Sequence, residues 1–221
     1  SLIHNWLFTI NHAVYIREDE VKAYVKELAR SYDTAYRKHA FTTAEGKDIT
    51  IDSGFYGWRM NRSEETEELI NLIKQGAVVE KEPVYIQTAA SHGERDYGDT
   101  YVEINLSKQH LYFWEKGNII IESDFVSGNM VKGMATPGGI FPITYKERNA
   151  VLKGTNYRTP VSYWMPFNGG IGMHDAPWRK QFGGTIYETN GSHGCINLPV
   201  DVAREIYEHV AAGMPVICYY E

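Results

Sequence analysis

Residues 190–199, NGSHGCINLP, surround a cysteine with groups that can activate it. Cys195 follows Ser192, His193 and Gly194 directly. A thiol attacks as its thiolate, so it needs a proton acceptor and donors that stabilise the oxyanion of the substrate. The backbone of Gly194 can approach a bound carbonyl closely, because glycine has no side chain. The stretch therefore predicts a cysteine nucleophile in an acyl-transfer site.

A histidine that could take the thiol proton lies upstream, in the sequence IGMHDAPW. His174 precedes Cys195 by 21 positions. A single histidine in an apolar setting is more often structural than catalytic. The combination of a histidine, a cysteine and nearby glycines in one half of the chain favours a catalytic pair, with His174 as the base.

Composition excludes several classes of protein. The chain has 221 residues, a net charge of −6 and no long basic block, which argues against nucleic acid as a partner. No apolar run approaches the ~20 residues that span a bilayer, and the start does not resemble a signal peptide. The two cysteines, Cys195 and Cys218, could form one disulfide, but the apolar run around Cys218 favours a buried free thiol.

Periodicity predicts an α+β first half and a mainly β second half. A helix is expected within residues 18–40, and a second helix should start at Ser63 as its N-cap and end at Gly76. Residues 200–211 give the one helical pattern of the second half. Strands are expected at 41–43, 49–51, 55–58, 77–86, 100–105, 110–114, 119–126 and 139–145.

The polar segment 89–99 is interpreted as a linker. We therefore expect two domains, an N-terminal α+β domain at residues 1–98 and a mainly β domain at 99–221, built as a sandwich or barrel.

Several motifs together resemble the L,D-transpeptidases of bacterial cell walls, which have a YkuD-type catalytic domain. They occur in order as YVEINLSKQHLY (101–112), TPGGIFPI (136–143), GMHDAPW (172–178) and SHGCIN (192–197). The resemblance covers about residues 99–221. The first half, with YGW at 56–58 before a capped helix, resembles the domain that often precedes this catalytic domain in Gram-positive enzymes.

The resemblance implies a mechanism. Cys195 would attack the peptide bond before the terminal D-alanine of a stem tetrapeptide and form a thioester. The amine of a neighbouring stem would then take the acyl group, giving a 3→3 cross-link. His174 would transfer the protons, and the backbone carbonyl of Ser192 would hold its ring, so that Ser192→Ala costs little.

The resemblance also implies roles for the surrounding residues. Backbone N–H groups of Gly194 and Cys195 would form the oxyanion hole, and His193 and Asn197 would support the loop or the substrate. Trp178 and Trp164 would line the substrate groove or pack beneath a lid. No metal or cofactor is required. Carbapenems would acylate the enzyme, whereas most penicillins would not.

Peptidoglycan cross-linking takes place outside the membrane. A signal or anchor segment is therefore expected upstream of Ser1, and the N-terminal domain would position the enzyme on the wall.

Other functions remain open from the sequence. An L,D-carboxypeptidase would use the same thioester with water as the acceptor, and a wall-binding module would not need the thiol. A zinc hydrolase could use His174, Asp175, His193 and Cys195 as ligands, although their spacing is uncommon. A papain-like peptidase would need a histidine far downstream of the cysteine.

Overall fold

The structure is a computed structural model that describes residues 7–10, 13–154 and 157–221. Within these ranges the helices are α1 Glu18–Tyr32, α2 Arg62–Lys74, α3 Ile186–Asn190 and α4 Val200–His209. The strands are β1 Leu7–Ile10, β2 Ala13–Ile16, β3 His39–Thr42, β4 Asp48–Ile51, β5 Arg59–Met60, β6 Tyr85–Gln87, β7 Tyr101–Asn105, β8 His110–Glu115, β9 Asn118–Asp124, β10 Gly139–Pro142, β11 Glu147–Gly154, β12 Tyr157–Asn168, β13 Ile171–Asp175, β14 Ile196–Leu198 and β15 Pro215–Tyr219. None of the described helices is long and apolar enough to cross a membrane.

The chain folds as two compact units. The first contains residues up to Ala35 together with Gly57–Thr88, and the second contains Tyr36–Tyr56 and Ala89–Glu221. The first unit combines helices α1 and α2 with short strand pairs, and the second unit is mainly β, which confirms the predicted fold class.

Helix α1 packs one apolar stripe against α2. Val21, Val25 and Ala29 recur every four residues and are buried, while acidic residues fill the first turn, where they complement the helix dipole. The helix ends at Tyr32, well before the predicted limit of residue 40. Asp33 takes an extended backbone conformation there, and its carboxylate accepts a hydrogen bond from the backbone N–H of Met60 at 2.8 Å.

The N-cap of helix α2 lies two residues before the predicted one. Asn61, rather than Ser63, is the N-cap, because its side chain accepts from the Glu64 N–H at 3.3 Å and donates to the Glu64 carboxylate at 2.8 Å. The end of the helix near Gly76 agrees with the prediction, since this glycine has φ +63°.

Two larger sheets form most of the second unit, which also contains the two-stranded pair of β3 and β4. One sheet has the strand order β10-β15-β7-β8-β9 and the other has the order β11-β12-β13-β14. The pairs β15–β7 and β13–β14 are parallel, and the other pairs in these sheets are antiparallel. A single buried cluster takes side chains from both sheets and from α4, among them Phe113, Met165, Met173 and Ile206. The sheets therefore share one core, as in a sandwich.

The segment Tyr36–Tyr56 belongs to the second unit. The predicted boundary, a single division between residues 98 and 99, placed it in the first. Its aromatic and aliphatic side chains, such as Phe41 and Tyr56, are buried in one cluster with Tyr97 and Tyr219. The backbone N–H groups of residues 55 and 56 also donate to the Ile140 carbonyl, both at 3.0 Å. Burial of aromatic surface and backbone pairing thus hold this segment against the β-sheet.

Several strands predicted from the sequence are shorter in the structure or are not formed. Residues 55–58 form no regular strand, and of 77–86 only the end at β6 is extended. Sequence patterns missed the hairpin of β11 and β12, the pair β13 and β14, and the short helix α3. The predicted strands at 100–105, 110–114 and 119–126 correspond to β7, β8 and β9, and the predicted helix at 200–211 corresponds to α4.

Candidate active site

The parallel pairing of β13 and β14 brings the predicted nucleophile and base to one face of a sheet. His174 lies directly opposite Asn197, and Cys195 comes two positions before Asn197. Because paired residues of neighbouring strands project to the same face, His174 and Asn197 share one face, and Cys195, directly before β14, lines the same cleft. The alternate positions, Met173 and Ile196, are fully buried in the core on the other face. The apolar residues of the two motifs therefore fix the register that places the polar ones.

A cleft of about 230 Å³ opens on this face. It contains most of the predicted site residues, together with two residues from the hairpin of β11 and β12. Its walls are formed by Leu152, Thr159, His174, Trp178, Arg179, Gly191, Ser192, His193, Cys195 and Asn197.

The ring of His174 is held on both sides. Its Nδ1 lies 2.8 Å from the carbonyl oxygen of Asp175, and its Nε2 lies 3.1 Å from Nδ2 of Asn197. Arg179 Nε donates to Oδ1 of Asn197 at 2.8 Å, so the amide nitrogen of Asn197 faces the ring. This pattern assigns the proton to Nδ1 and leaves Nε2 as the acceptor.

The carbonyl that holds His174 is not the predicted one. Asp175, the next residue in β13, supplies it, because the strand end turns this carbonyl back towards the ring. The carbonyl of Ser192 accepts instead from the backbone N–H of Asn129 at 2.9 Å. Ser192 therefore contributes to the site in another way.

Burial keeps the imidazole neutral. Burial lowers the pKa of His174, and the positive charge of Arg179 acts in the same direction, whereas the hydrogen bond to the Asp175 carbonyl and the Asp175 charge oppose it. A neutral imidazole with an unprotonated Nε2 is the form that can accept a proton, once the hydrogen bond from Nδ2 of Asn197 gives way to the incoming donor.

Cys195 rests as a thiol rather than a thiolate. It is half-buried, and its Sγ lies 3.6 Å from the carbonyl oxygen of Gly170, which accepts the S–H. Burial raises the pKa of the Cys195 thiol to about 11, although a hydrogen bond from the Gly172 N–H opposes the increase. A nearby base would therefore have to take the thiol proton for Cys195 to attack a carbonyl. Cys218 is a fully buried free thiol in β15, as predicted.

The side chain of Ser192 shapes the turn that carries the nucleophile. Its Oγ donates to the Cys195 carbonyl at 2.6 Å and accepts from the Gly194 N–H at 3.0 Å. Thr136 Oγ1 donates to the Gly194 carbonyl at 2.7 Å. Because the side chain makes two bonds to the turn, we expect Ser192→Ala to cost more than the resemblance implied. Gly194 has φ +118°, which favours glycine, and its N–H is already engaged, so it is not available as an oxyanion donor in this conformation.

The two tryptophans have different environments. Trp178 is 50% exposed, lines the cleft and has its ring centroid 5.9 Å from that of His174. Trp164 is 5% exposed and packs with Ala150 and Val161, so it is not among the described residues that line the cleft. The burial of Trp164 favours the packing alternative, although its ring centroid also lies 5.9 Å from that of His174.

The four residues considered as zinc ligands do not converge. Oδ1 of Asp175 accepts from the backbone N–H groups of Ser162 and Tyr163 at 2.8 and 2.9 Å, which turns the carboxylate towards β12. The ring nitrogens of His174 are both engaged. Among the described residues, no group of three or more histidine, cysteine or acidic side chains could hold a metal ion.

Sequence reasoning missed Arg179, which follows the GMHDAPW motif directly. The structural role of Thr136 was also missed, although its motif was noted. A cation immediately after a motif that carries the base was the available signal for Arg179, whereas the hydroxyl of Thr136 reaches the nucleophile turn only in the folded chain.

Comparison with known protein families agrees with this geometry. Residues 99–218 match the YkuD family model, described as "L,D-transpeptidase catalytic domain". Residues 2–79 match a second model, described as "Putative peptidoglycan binding domain".

Solved structures resemble the chain over both units. A crystal structure of a mutant Enterococcus faecium L,D-transpeptidase is 34% identical, with a TM-score of 0.81, and the match covers 97% of this chain and 87% of that one. An NMR structure of the E. faecium catalytic domain acylated by ertapenem is 42% identical, with a TM-score of 0.51, over 55% of this chain and 98% of that one.

A curated relative from Bacillus subtilis (strain 168), described as "Putative L,D-transpeptidase YciB", is 29% identical over 118 residues. The match covers 50% of this chain and 60% of that protein. The family match over 99–218 and the similarity to the E. faecium enzyme along nearly the whole chain lead to one conclusion. The chain belongs to the YkuD family of L,D-transpeptidases.

Proposed function

We propose that the chain is a peptidoglycan L,D-transpeptidase that uses Cys195 as its nucleophile and His174 as its acid and base. The observation that supports this most directly is the strand pairing that sets both side chains on one face of a cleft, with a neutral, oriented imidazole. The YkuD family match gives the reaction class.

The first half-reaction forms a thioester. The thiol turns from the Gly170 carbonyl towards Nε2 of His174 and displaces the N–H of Asn197 there, and Nε2 accepts the thiol proton as Sγ attacks the carbonyl carbon of the donor peptide. The tetrahedral intermediate collapses, the C–N bond breaks, and the amine of D-alanine leaves with the proton from His174. The acyl group remains on Sγ. We assign the backbone N–H of Cys195 as an oxyanion donor, since that of Gly194 binds Ser192 Oγ.

The second half-reaction transfers the acyl group. An amine of a neighbouring stem attacks the thioester, His174 takes its proton, and the S–C bond breaks to return the thiol. The product is an amide that joins the third residues of two stems. Water in place of the amine would give the carboxypeptidase product, so access of the acceptor to the cleft decides between the two reactions.

The substrate implies where the enzyme works and what inhibits it. Peptidoglycan stems are the donor and acceptor, so the cell wall is the site of action, and we propose that the first unit positions the enzyme there, in line with the match of residues 2–79. A relative in this family is acylated by ertapenem. We expect carbapenems to acylate Cys195 in the same way as the substrate carbonyl does, with most penicillins reacting poorly.

The proposal is tested with a purified disaccharide tetrapeptide and separation of the products by mass spectrometry. We expect a dimer that has lost one D-alanine from the wild type, and no product from Cys195→Ala. A tripeptide alone would identify a carboxypeptidase. No product from folded wild type, or equal product from Cys195→Ala, would overturn the proposal.

A further inference from the structure

Arg179 is linked to the base through the side chain of Asn197. Its Nε donates to Oδ1 of Asn197 at 2.8 Å, and Nδ2 of Asn197 lies 3.1 Å from Nε2 of His174. The backbone of Arg179 is fixed as well, because its N–H donates to the Ala176 carbonyl at 3.0 Å, in the turn that follows β13. Burial lowers the pKa of the Arg179 guanidinium, so the fold holds this cation partly away from water.

The chain of hydrogen bonds has one consistent direction. A guanidinium can only donate, so the oxygen of the Asn197 amide must face Arg179 and the nitrogen must face the ring. An amide nitrogen can only donate, so Nε2 of His174 must accept. The proton of the neutral ring then lies on Nδ1, where the Asp175 carbonyl accepts it at 2.8 Å.

Removal of Arg179 would allow the amide of Asn197 to turn over. Its oxygen would then face Nε2, and a doubly protonated ring could donate to both Asn197 and the Asp175 carbonyl. That arrangement suits the imidazolium, which cannot accept the thiol proton. The other titratable groups that face this part of the cleft are Cys195 and His193, while the Asp175 carboxylate is turned towards β12.

We propose that Arg179 is a positioning residue that keeps Nε2 of His174 unprotonated in the resting site, by orienting the amide of Asn197 so that its N–H, which the thiol must displace, faces the ring. The proposal rests on the function proposed above, because it assigns a use to the acceptor nitrogen. It also predicts the tautomer and the titration of the His174 ring, which can be measured without turnover.

The test compares Arg179→Met, Arg179→Lys and the matched control Lys180→Met. Lys180 is the adjacent cation and is exposed. Lys180→Met therefore removes one positive charge from the same segment and leaves the bond between Arg179 and Asn197 in place. ¹⁵N NMR of the His174 ring reports its tautomer and its titration. Intact-protein mass spectrometry gives the rate of acylation by a carbapenem as a function of pH.

In Arg179→Met we expect His174 to titrate at higher pH than in the wild type. The acidic limb of the acylation profile should move in the same direction, with a rate about tenfold lower near pH ~6 and recovery at alkaline pH. Arg179→Lys should recover part of the loss, because an ammonium also only donates. Lys180→Met should behave as the wild type.

An unchanged His174 titration and an unchanged pH profile in Arg179→Met would overturn the inference. So would a loss of rate that is the same at every pH, since that result describes a structural role alone. A wild type that is not acylated would contradict the proposed function, but the ring titration would still decide whether Arg179 sets the tautomer.

Discussion

Replacement of Ser192 by alanine should loosen the turn that presents the nucleophile. The hydroxyl makes two bonds to backbone groups of this turn, one to the Cys195 carbonyl at 2.6 Å and one from the Gly194 N–H at 3.0 Å. Alanine can make neither bond. The change removes little volume, so lost hydrogen bonding is the main effect.

The magnitude follows from the two bonds. An intramolecular hydrogen bond contributes about 1 kcal/mol to stability, so the variant should lose about 2 kcal/mol. In a chain of this length that corresponds to a melting temperature lower by about 4–8 °C. If the same free energy is lost in the transition state for acylation, the rate falls by about 30-fold at most.

Thermal unfolding and the rate of carbapenem acylation measure the two effects. Ser123→Ala is the control, because the Ser123 hydroxyl makes an exposed hydrogen bond to the Asp124 carbonyl at 2.9 Å, far from the turn in sequence. We expect that control to match the wild type in rate. A Ser192→Ala protein that melts and reacts like the wild type would refute the view that the side chain holds the turn.

Three further predictions follow from burial. Iodoacetamide should label Cys195 but not Cys218 in the folded protein, because Cys195 lines the cleft and Cys218 is fully buried. The rate of labelling should increase with pH, since the pKa of the Cys195 thiol is raised to about 11. Peptide mapping measures the labelling, and equal labelling of both thiols would contradict the prediction. Burial lowers the pKa of His174 in the folded protein. Below about pH 6.5, His174 therefore binds a proton more readily in the unfolded chain than in the folded protein. Stability in urea should therefore decrease as the pH falls from that value, and less so in His174→Gln; parallel curves for both proteins would refute this. Phe41→Ala should destabilise the second unit by about 3–5 kcal/mol, because three tyrosine rings surround Phe41; a melting temperature within error of the wild type would separate residues 36–56 from that unit.

The sequence predicted which residues meet in the cleft better than it predicted the strands and hydrogen bonds that position them. Cys195 and His174 could be identified as candidates from the sequence, because each lies in a glycine-containing motif and the chain offers few other reactive side chains of these types. Their convergence depends on the parallel pairing of β13 and β14, and periodicity missed both strands. Each is short and fully or mostly buried, so neither shows the alternation that identifies a half-exposed strand.

Hydrogen-bond partners were the hardest feature to predict. The ring of His174 could be held by any nearby carbonyl, and only the course of the backbone selects that of Asp175 over that of Ser192. The link from Arg179 through Asn197 likewise joins residues 18 positions apart through side-chain geometry. The placement of residues 36–56 was missed for a similar reason, because its buried aromatic contacts are distant in sequence.

The central claim is that Cys195 is the acyl acceptor, and mass spectrometry of the intact protein after incubation with a carbapenem tests it most directly. Wild type and Cys195→Ala are compared, with Cys218 unchanged in both. We expect one intact drug adduct on the wild type and none on the variant. A folded, reduced wild type without an adduct, or an equal adduct on Cys195→Ala, would contradict the claim.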